Sequence, residues 1–498
     1  MAQAQKITPR ATDFSEWYND VIMQAELADY SPVRGCMVIR PHGYGVWELM
    51  QRALDDMFKA TGHQNAYFPL FIPMSFLAKE AEHVKGFAKE VALVTHTRLK
   101  ATGKAGAQAV MPDPASALEE PLVIRPTSET IIYAMFAKWI HSYRDLPLLM
   151  NQWCNIVRWE LRTRLFLRTT EFLWQEGHTA HATEAEAEAE ARQMLGVYRK
   201  FQEAWMAMPV ITGQKTESEK FAGAVRTYAL EALMQDNKAL QAGTSHHLGQ
   251  NFAKAFGVQY QTAGGGLEYV WNTSWGVSTR MIGGLVMTHS DDNGFVAPPK
   301  LAPVQVVIVP IWKSEEEKEQ VLGVGGKVKD ELAQAGVRVE LDTRDSLKPG
   351  AKYFEWEAKG VPLRLEIGPR DVAAGQVMTA RRSGGAKAPA KVAGLAATVT
   401  TALDEIQAAL FQAAKDRREA HSIRGVTKQR FIEFMKDGGG FAYGGFCGSA
   451  ECEAEIKQET GATVRVLPDL EFRSPQAPKT CMWCGKPSVA EAVWAQAY

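Results

Sequence analysis

Asn155-Ile-Val-Arg-Trp-Glu160, with Arg168-Thr-Thr-Glu-Phe172 shortly after it, is the stretch of this sequence that decides the fold. Its composition predicts two strands within Val157–Phe172, joined by a basic turn. Side chains two residues apart on a strand share a face, so this prediction places Arg158 and Glu160 on the same side. The segment is therefore the first candidate for a binding site.

The chemistry of these side chains fits a nucleotide. The guanidinium of Arg158 can bind a phosphate and a carboxylate together, which suits a reaction that joins those two groups. Glu160 can accept from an amino group of a purine, Phe172 can stack on that purine, and Arg168 can reach the distal phosphates. Taken alone, the stretch also fits a hairpin whose surface arginines pair with Glu160 and Glu171, since so short a pattern recurs by chance.

A second arginine follows at Gly276-Val-Ser-Thr-Arg280, where a strand is predicted to end and a helix to begin. Free N–H groups at a helix start favour phosphate, and Arg280 adds a fixed charge. Two arginines on separate elements, flanking a stacking aromatic residue, resemble the second and third signature motifs of class II aminoacyl-tRNA synthetases. Phe68-Pro69 resembles the first motif, which in that class builds the dimer interface, so the resemblance implies a homodimer.

Three further stretches indicate the amino acid: Arg125–Thr130, Trp174–His181 and Gly243–Phe252. Together with Asn155–Glu160 they resemble prolyl-tRNA synthetase of the archaeal/eukaryotic-like type, over nearly the whole chain. For the proline pocket this resemblance implies Thr127, Glu129, Arg158, Trp174, Glu176, His178 and His246. For ATP it implies Arg158, Glu160, Arg168, Thr169, Phe172, Gln241, Thr244, Ser278 and Arg280.

The requirements of proline agree with that assignment. Its ring needs an apolar slot with aromatic walls, which Trp174 and Phe172 can provide. Its secondary ammonium needs a carboxylate, for which we favour Glu129 over Glu176. His246 is either a pocket residue or a hydrogen-bonded core histidine, and the resemblance favours the pocket.

The last fifty residues or so contain a cysteine cluster, Cys447-x4-Cys452 and Cys481-x2-Cys484. Two close pairs of thiolates match a tetrahedral structural zinc site, and the alternative is four unrelated thiols. The chain ends at Tyr498. In some relatives a terminal tyrosine folds back towards the active site, and the alternative is a frayed terminus.

The predicted architecture is multidomain, α/β and α+β. It comprises a class II catalytic domain with an antiparallel sheet (1–296), an α/β anticodon-binding domain with a largely parallel sheet (297–405) and a small C-terminal zinc-binding α/β domain (406–498). Thr127 or Ser128 is predicted to cap a helix running to about Tyr143, and Ala101–Ala117 is predicted to be a flexible loop. In the second domain, 348–355 and 364–370 mix basic and aromatic groups, as readers of single-stranded RNA do. Both are also compatible with an ordinary surface loop and strand end.

Bulk composition excludes little beyond a membrane protein. The net charge of the 498 residues is −1, so any tRNA surface must be local. No apolar run approaches the roughly 18 residues that a membrane span needs. Residues 1–14 are polar and lack the apolar core of a signal peptide, so we expect a cytoplasmic protein.

The predicted activity is attachment of proline to tRNA(Pro) in two steps, with ATP and Mg²⁺ and with Arg158 and Arg280 as the catalytic residues. Phe172 to Ser278 is too short for the editing insertion of bacterial-type relatives, which predicts misactivation of alanine without editing in cis. One alternative is a class II synthetase for another amino acid, such as threonine, which would carry metal ligands in the pocket. The other is a non-catalytic paralogue, which would usually have lost one of the two arginines.

Overall fold

The computed structural model describes residues 7–78 and 91–498, and no helix in these ranges is long and apolar enough to cross a membrane. The helices up to residue 289 are α1 (Phe14–Gln24), α2 (Pro41–Ala60), α3 (Met74–Ala78), α4 (Glu129–Trp139), α5 (Glu184–Ala204), α6 (Asn251–Phe256) and α7 (Arg280–His289). The strands of this first part are β1 (Ala28–Tyr30), β2 (Met37–Ile39), β3 (Gln64–Asn65), β4 (Phe71–Pro73), β5 (Leu93–His96), β6 (Leu99–Ala101), β7 (Val110–Pro112), β8 (Ala117–Ile124), β9 (Leu148–Val157), β10 (Glu171–His181), β11 (Val210–Gln214), β12 (Arg226–Leu233), β13 (Ala239–Gly249), β14 (Gln259–Gln261), β15 (Leu267–Tyr269) and β16 (Trp271–Ser278).

The later helices are α8 (Glu315–Gln334), α9 (Pro349–Ala358), α10 (Pro369–Ala374), α11 (Leu395–Ala420), α12 (Lys428–Lys436) and α13 (Ala450–Thr460). The later strands are β17 (Val306–Pro310), β18 (Val339–Leu341), β19 (Leu363–Ile367), β20 (Gln376–Arg381), β21 (Ala388–Lys391), β22 (Ser422–Arg424), β23 (Phe441–Phe446), β24 (Thr463–Pro468) and β25 (Ala490–Ala495).

The centre of the first part is an antiparallel sheet in the order β11-β12-β13-β16-β10-β9, with the short β3 added in parallel at its edge. Helix α5 covers one face of it. Its start is set by a capping box, in which the Thr183 hydroxyl accepts from the N–H of Glu186 and the Glu186 carboxylate accepts from the N–H of Thr183. Its buried face includes Met194 and Tyr198. The predicted antiparallel sheet is confirmed.

The second part is a five-stranded sheet in the order β18-β17-β19-β20-β21. The first three strands are parallel and the last two are antiparallel, so the prediction of a largely parallel sheet holds for one side only. Strand β17 is buried along its whole length, because helices cover both faces of a parallel strand. Helix α11 runs across the predicted 405/406 boundary, and the domain boundaries themselves stay predictions.

The third part continues the first sheet rather than standing apart from it. Its strands are ordered β22-β23-β25-β24, and β24 pairs with β11 to give one sheet of eleven strands. A Cβ on Gly213 of β11 would lie 2.2 Å from the carbonyl oxygen of Leu467, so this junction requires a residue without a side chain. No local sequence pattern predicts this continuity, because it depends on the pairing of two strands that are far apart in the chain.

Two predictions of local structure are wrong, one for Arg158 and Glu160 and one for Ala101–Ala117. Strand β9 ends at Val157 and β10 begins at Glu171, so Arg158 and Glu160 lie in the connection and not on one face of a strand. The N–H of Arg158 still donates to the Thr170 carbonyl at 2.8 Å, but the N–H of Thr170 donates to the Gly35 carbonyl at 2.8 Å, so the ladder stops there. The chain beyond closes a separate turn, in which the Arg164 N–H donates to the Arg168 carbonyl at 2.7 Å. The prediction of a flexible loop over Ala101–Ala117 is also wrong, because β7 lies inside this range and pairs with β6, which ends at Ala101.

Helix α4 begins where it was predicted but is not capped as predicted. Ser128 is its N-cap residue, yet its hydroxyl makes no capping bond, since it donates to Glu176 instead. The hydroxyl of Thr127 donates to Glu129. The helix ends at Trp139 rather than near Tyr143. Both candidate caps are thus turned towards carboxylates of the site described next.

Candidate active site

The register of three strands builds the floor of a pocket. On β10 the side chains at alternate positions Trp174, Glu176 and His178 share a face. Strand β16 pairs Gly276 with Glu176 on one side and with Thr244 of β13 on the other. Two residues before Gly276 on the same strand, Ser274 pairs with His178 on one side and with His246 on the other. Residues far apart in sequence are thereby brought onto one surface.

Above this floor lies a cavity of about 240 Å³. Its lining includes twelve of the predicted site residues, namely Thr127, Glu129, Arg158, Phe172, Trp174, Glu176, His178, Gln241, Thr244, His246, Ser278 and Arg280. The predicted proline-binding and ATP-binding residues therefore border one continuous space. Such a space can hold two substrates that react with each other.

Glu176 is held by hydrogen bonds from neighbouring side chains. The Ser128 hydroxyl donates to it, as do the Gln152 amide at 2.6 Å and the His178 imidazole at 3.0 Å. Burial alone would raise the pKa of Glu176, but these hydrogen bonds and the His178 charge lower it below its usual value. Burial would likewise lower the pKa of His178, and its hydrogen bond to Glu176 raises it instead. The two side chains form a buried ion pair.

The second histidine of the pocket behaves in the opposite way. Burial, and then the nearby His178, lower the pKa of His246 to about 3, so its imidazole is neutral. Its Nδ1 lies 3.0 Å from the Thr227 hydroxyl, and its ring lies 4.6 Å from the ring of Phe221. His246 is therefore a hydrogen-bonded histidine that also faces the cavity, which combines the two sequence interpretations.

Arg158 and Arg280 approach the cavity from different elements, as predicted. The Arg158 guanidinium lies 5.7 Å from the ring centre of Phe172 and 5.4 Å from that of Trp174, and its Nε donates to the Pro126 carbonyl at 3.0 Å. Arg280 opens α7, and its Nε donates to the Leu167 carbonyl at 3.2 Å. Burial lowers the pKa of Arg158 to about 10 and also lowers that of Arg280, and both remain cationic near neutral pH.

Three predicted ATP-binding residues lie outside the lining of this cavity. Arg168 pairs with Glu160 at 4.0 Å and borders a neighbouring cavity, which it shares with Arg280. The hydroxyl of buried Thr169 donates to the Glu171 carbonyl at 2.8 Å. Their roles stay predictions.

Part of the cavity wall is formed by residues that lie outside the predicted set. Glu219, Phe221 and Thr227 line the cavity together with Ser274 and Gly276. Ser274 and Gly276 follow from the alternation along β16 once its pairing is known. Glu219 and Phe221 belong to no motif and reach the cavity only through the connection between β11 and β12.

The chain terminus folds back onto the first part, as in the relatives considered above. The N–H of Tyr498 donates to the Ala239 carbonyl at 3.2 Å, and its hydroxyl donates to Asp236 at 2.6 Å. Its ring stacks with Arg164 at 5.5 Å and borders the cavity that Arg168 and Arg280 share. The alternative of a frayed terminus is excluded.

The four late cysteines converge. Their sulfur atoms all lie within 4.8 Å of one another, with 3.6 Å between Cys447 and Cys452 and 3.7 Å between Cys484 and Cys447. A tetrahedral zinc site with Zn–S bonds of about 2.3 Å has sulfur–sulfur distances of about 3.8 Å. The backbone N–H of Lys486 lowers the pKa of Cys484 to about 7, whereas burial raises the pKa of Cys447 and of Cys452. The donor set and its spacing fit structural zinc.

Family models match three parts of the chain: tRNA synthetase class II core domain (G, H, P, S and T) at 114–289, anticodon binding domain at 305–402, and Prolyl-tRNA synthetase, C-terminal, at 429–498. The chain is similar to a proline–tRNA ligase of Porphyromonas gingivalis, with 54% identity over 496 residues, which cover 100% of this chain and 99% of that protein. It is 56% identical over 509 residues to proline–tRNA ligase 2 of Anaeromyxobacter dehalogenans, with 98% of each chain covered. It is also 54% identical to a proline–tRNA ligase of Prosthecochloris aestuarii over 501 residues, which cover 99% of this chain and all of that protein.

Proposed function

The chain belongs to the prolyl-tRNA synthetases, a class II family of proline–tRNA ligases that use ATP, and we propose a division of labour within its cavity. In this proposal Trp174, Glu129, His178 and His246 hold proline, while Phe172, Gln241, Thr244 and Ser278 hold ATP. Arg158 lies between the two groups and touches both substrates. The observation that carries the proposal is the shared cavity, in which Arg158 borders both sets of side chains.

Glu129 is proposed as the partner of the proline ammonium. Glu176 already accepts from Ser128, Gln152 and His178, and that leaves little of its charge for a ligand. Glu129 accepts from Thr127, lies on the first turn of α4 and borders the cavity. Glu176 and His178 then serve as the rigid floor on which the ring of proline lies.

The proposed first step is an in-line attack. A carboxylate oxygen of proline bonds to the α-phosphorus of the magnesium complex of ATP, and the bond from that phosphorus to the bridging oxygen breaks to release pyrophosphate. The nucleophile is already an anion, so no side chain has to remove a proton. Arg158 screens the two anions and stabilises charge at phosphorus, while Arg280 holds the leaving phosphates. In the second step a terminal ribose hydroxyl of tRNA takes the prolyl group and AMP leaves.

This division of labour is tested with proline-dependent exchange of pyrophosphate into ATP. Arg158→Ala should lower the exchange rate by about 10²–10³-fold or more, because it removes the charge that the transition state requires. Arg192→Ala is a matched control, since that arginine pairs with Glu188 and Asp469 away from the cavity, and it should keep wild-type exchange. Normal exchange by the Arg158 variant would overturn the proposal.

We also propose that alanine is activated by mistake and is not cleared by this chain. A pocket shaped for the larger proline ring excludes a smaller side chain poorly. From Leu173 to Val277 the chain is used by β10, α5, β11 to β13, α6 and β14 to β16, which leaves no room for a separate hydrolytic domain. Alanine-dependent exchange should be measurable, and added alanyl-tRNA(Pro) should decay no faster than without the enzyme. Rapid hydrolysis by the chain alone would contradict this.

Further parts of the proposal rest on the outer surfaces. The cysteine cluster is proposed to hold zinc, and the domain that matches the anticodon-binding model is proposed to contact tRNA(Pro). Tyr67 is 73% exposed and Trp139 is 42% exposed beside Phe68, which supports a homodimer through this face.

Among the described residues the one group of potential metal ligands is the cysteine cluster, so the pocket lacks the ligands expected of the threonine alternative. Both phosphate arginines are present, unlike in a typical non-catalytic paralogue.

A further inference from the structure

One wall of the amino-acid pocket is formed by residues 215–225, here called the wall segment, which connect β11 with β12. Its Phe221 packs on His246, and the N–H of Phe221 donates to the Thr227 hydroxyl at 3.0 Å. That hydroxyl lies 3.0 Å from Nδ1 of His246. The position of the wall segment therefore fixes the orientation of His246 and the width of the pocket on this side.

The other side of the wall segment is held by the C-terminal domain. The hydroxyl of Thr216 donates to the carboxylate of Glu453 at 3.0 Å, and Ser218 also hydrogen-bonds to that carboxylate. The carbonyl of Thr216 accepts from the N–H groups of Glu219 and Lys220 at 3.1 and 2.9 Å. Thr216 is thus the residue through which Glu453 holds the turn that carries Glu219 and Phe221.

A buried charge cluster fixes the start of the wall segment to the same domain. Lys215 donates to Glu231 at 2.8 Å, and Arg465 of β24 donates to both oxygens of Glu231 at 3.0 and 3.1 Å. Glu231 is fully buried, and the side chains of Lys215 and Arg465 are 2% and 8% exposed. A buried carboxylate shared by two cations is costly to disturb, so it holds β11, β12 and β24 in one arrangement.

We propose that the C-terminal domain is a working part of the proline pocket, with Glu453 and Arg465 as positioning residues that hold the wall segment against His246. This proposal rests on the function proposed above, since it takes proline as the ligand beside His246. It assigns to the C-terminal domain a role in substrate affinity in addition to its role as a folded unit. Neither residue touches substrate.

The test is proline-dependent pyrophosphate exchange by the full chain. Glu453→Ala and Thr216→Val should each raise the KM for proline about fivefold or more, because each removes one side of a charge-assisted hydrogen bond. The kcat and the KM for ATP should change by less than about twofold. Because Glu453→Ala already removes the Thr216 contact, the double variant should be no worse than Glu453→Ala alone. Thr216→Ser keeps the hydroxyl and should restore the wild-type KM.

Glu459→Ala is the matched control, because Glu459 is an exposed carboxylate on the same helix α13 and contributes no bond to the wall segment. It should leave the KM for proline unchanged. The inference would be overturned if Glu453→Ala and Thr216→Val left the KM for proline unchanged, or if their effects added independently. The proposed function would stand in that case, because the wild type would still show proline-dependent exchange. An equal rise in KM for Glu459→Ala would also overturn it. Loss of proline-dependent exchange in the wild type would instead contradict the proposed function.

Discussion

Two carboxylates of the pocket differ in what surrounds them, and this difference separates their roles. Glu176 accepts from Ser128, Gln152 and His178. Glu129 borders the cavity with Thr127 as its hydrogen-bond donor. The three donors around Glu176 compete with a ligand ammonium for its charge, which supports the sequence-based preference for Glu129.

The two pocket histidines should respond to pH in opposite directions. The folded-state pKa of His178 is raised above the unfolded value of about 6.5, so its stabilising contribution is complete below that pH and is lost as the pH rises through the raised value. The pKa of His246 is lowered to about 3, so the unfolded chain takes up a proton below about pH 6.5 that the folded chain does not. The wild type should therefore lose stability relative to His246→Gln as the pH falls.

Chemical denaturation of the wild type, His178→Gln and His246→Gln between pH 5 and 9 tests this contrast. The stability advantage of the wild type over His178→Gln should shrink from pH 6.5 towards pH 9. The difference in free energy of unfolding between the wild type and His246→Gln should not change above pH 7. Between pH 6.5 and 5 the wild type should lose stability relative to this variant, by at most about 1.4 kcal/mol per pH unit. Parallel profiles for the two variants would contradict the opposite protonation states.

At the scale of single elements, local pattern was a good guide wherever one face of an element is buried. The helical spacing of Val46, Met50 and Leu54 indicates a helix, and these residues are buried in the observed helix Pro41–Ala60. The predicted helix start at Arg280 is likewise found, as the first residue of α7. In each case the residues that decide the conformation lie within the element.

Local pattern failed where the deciding contact comes from elsewhere in the chain. The ladder ends beside Arg158 because the N–H of Thr170 donates to the distant Gly35 carbonyl, and the hydroxyl of Ser128 donates to Glu176 of β10 instead of capping its own helix. The hairpin of β6 and β7 contains glycines and prolines that favour a loop in isolation, but its strands pair with each other. For the same reason most of the candidate site could be predicted from motifs, whereas Phe221 could not, because no motif contains it.

At the scale of the whole molecule, both later parts are attached to the first by charge-assisted hydrogen bonds. Arg382 of the second part donates to both oxygens of Asp291 at 2.6 and 2.7 Å, and its Nε donates to the Glu357 carbonyl. Arg465 of the third part reaches Glu231 in the same two-pronged manner. Bidentate pairs of this kind fix orientation as well as distance, so the three parts are expected to behave as one rigid unit around the pocket.

Loss of the proposed zinc should therefore lower the stability of the first part of the molecule as well as that of the third part, which contains the cysteines. A structural zinc site contributes about 10–16 kcal/mol of binding energy in small domains, more than most small domains have as net stability. Cys481→Ser should abolish stoichiometric zinc in purified protein, lower the unfolding temperature and speed amide exchange in β24 and in its partner β11. Strand β9, on the far side of the sheet, should keep its protection. Cys36→Ser removes a cysteine outside the cluster and should retain zinc and the amide exchange rates of the wild type. If Cys481→Ser keeps full zinc, the proposed zinc site is contradicted. If amide exchange becomes faster in β24 while that in β11 is unaffected, the continuous sheet does not transmit the loss of zinc.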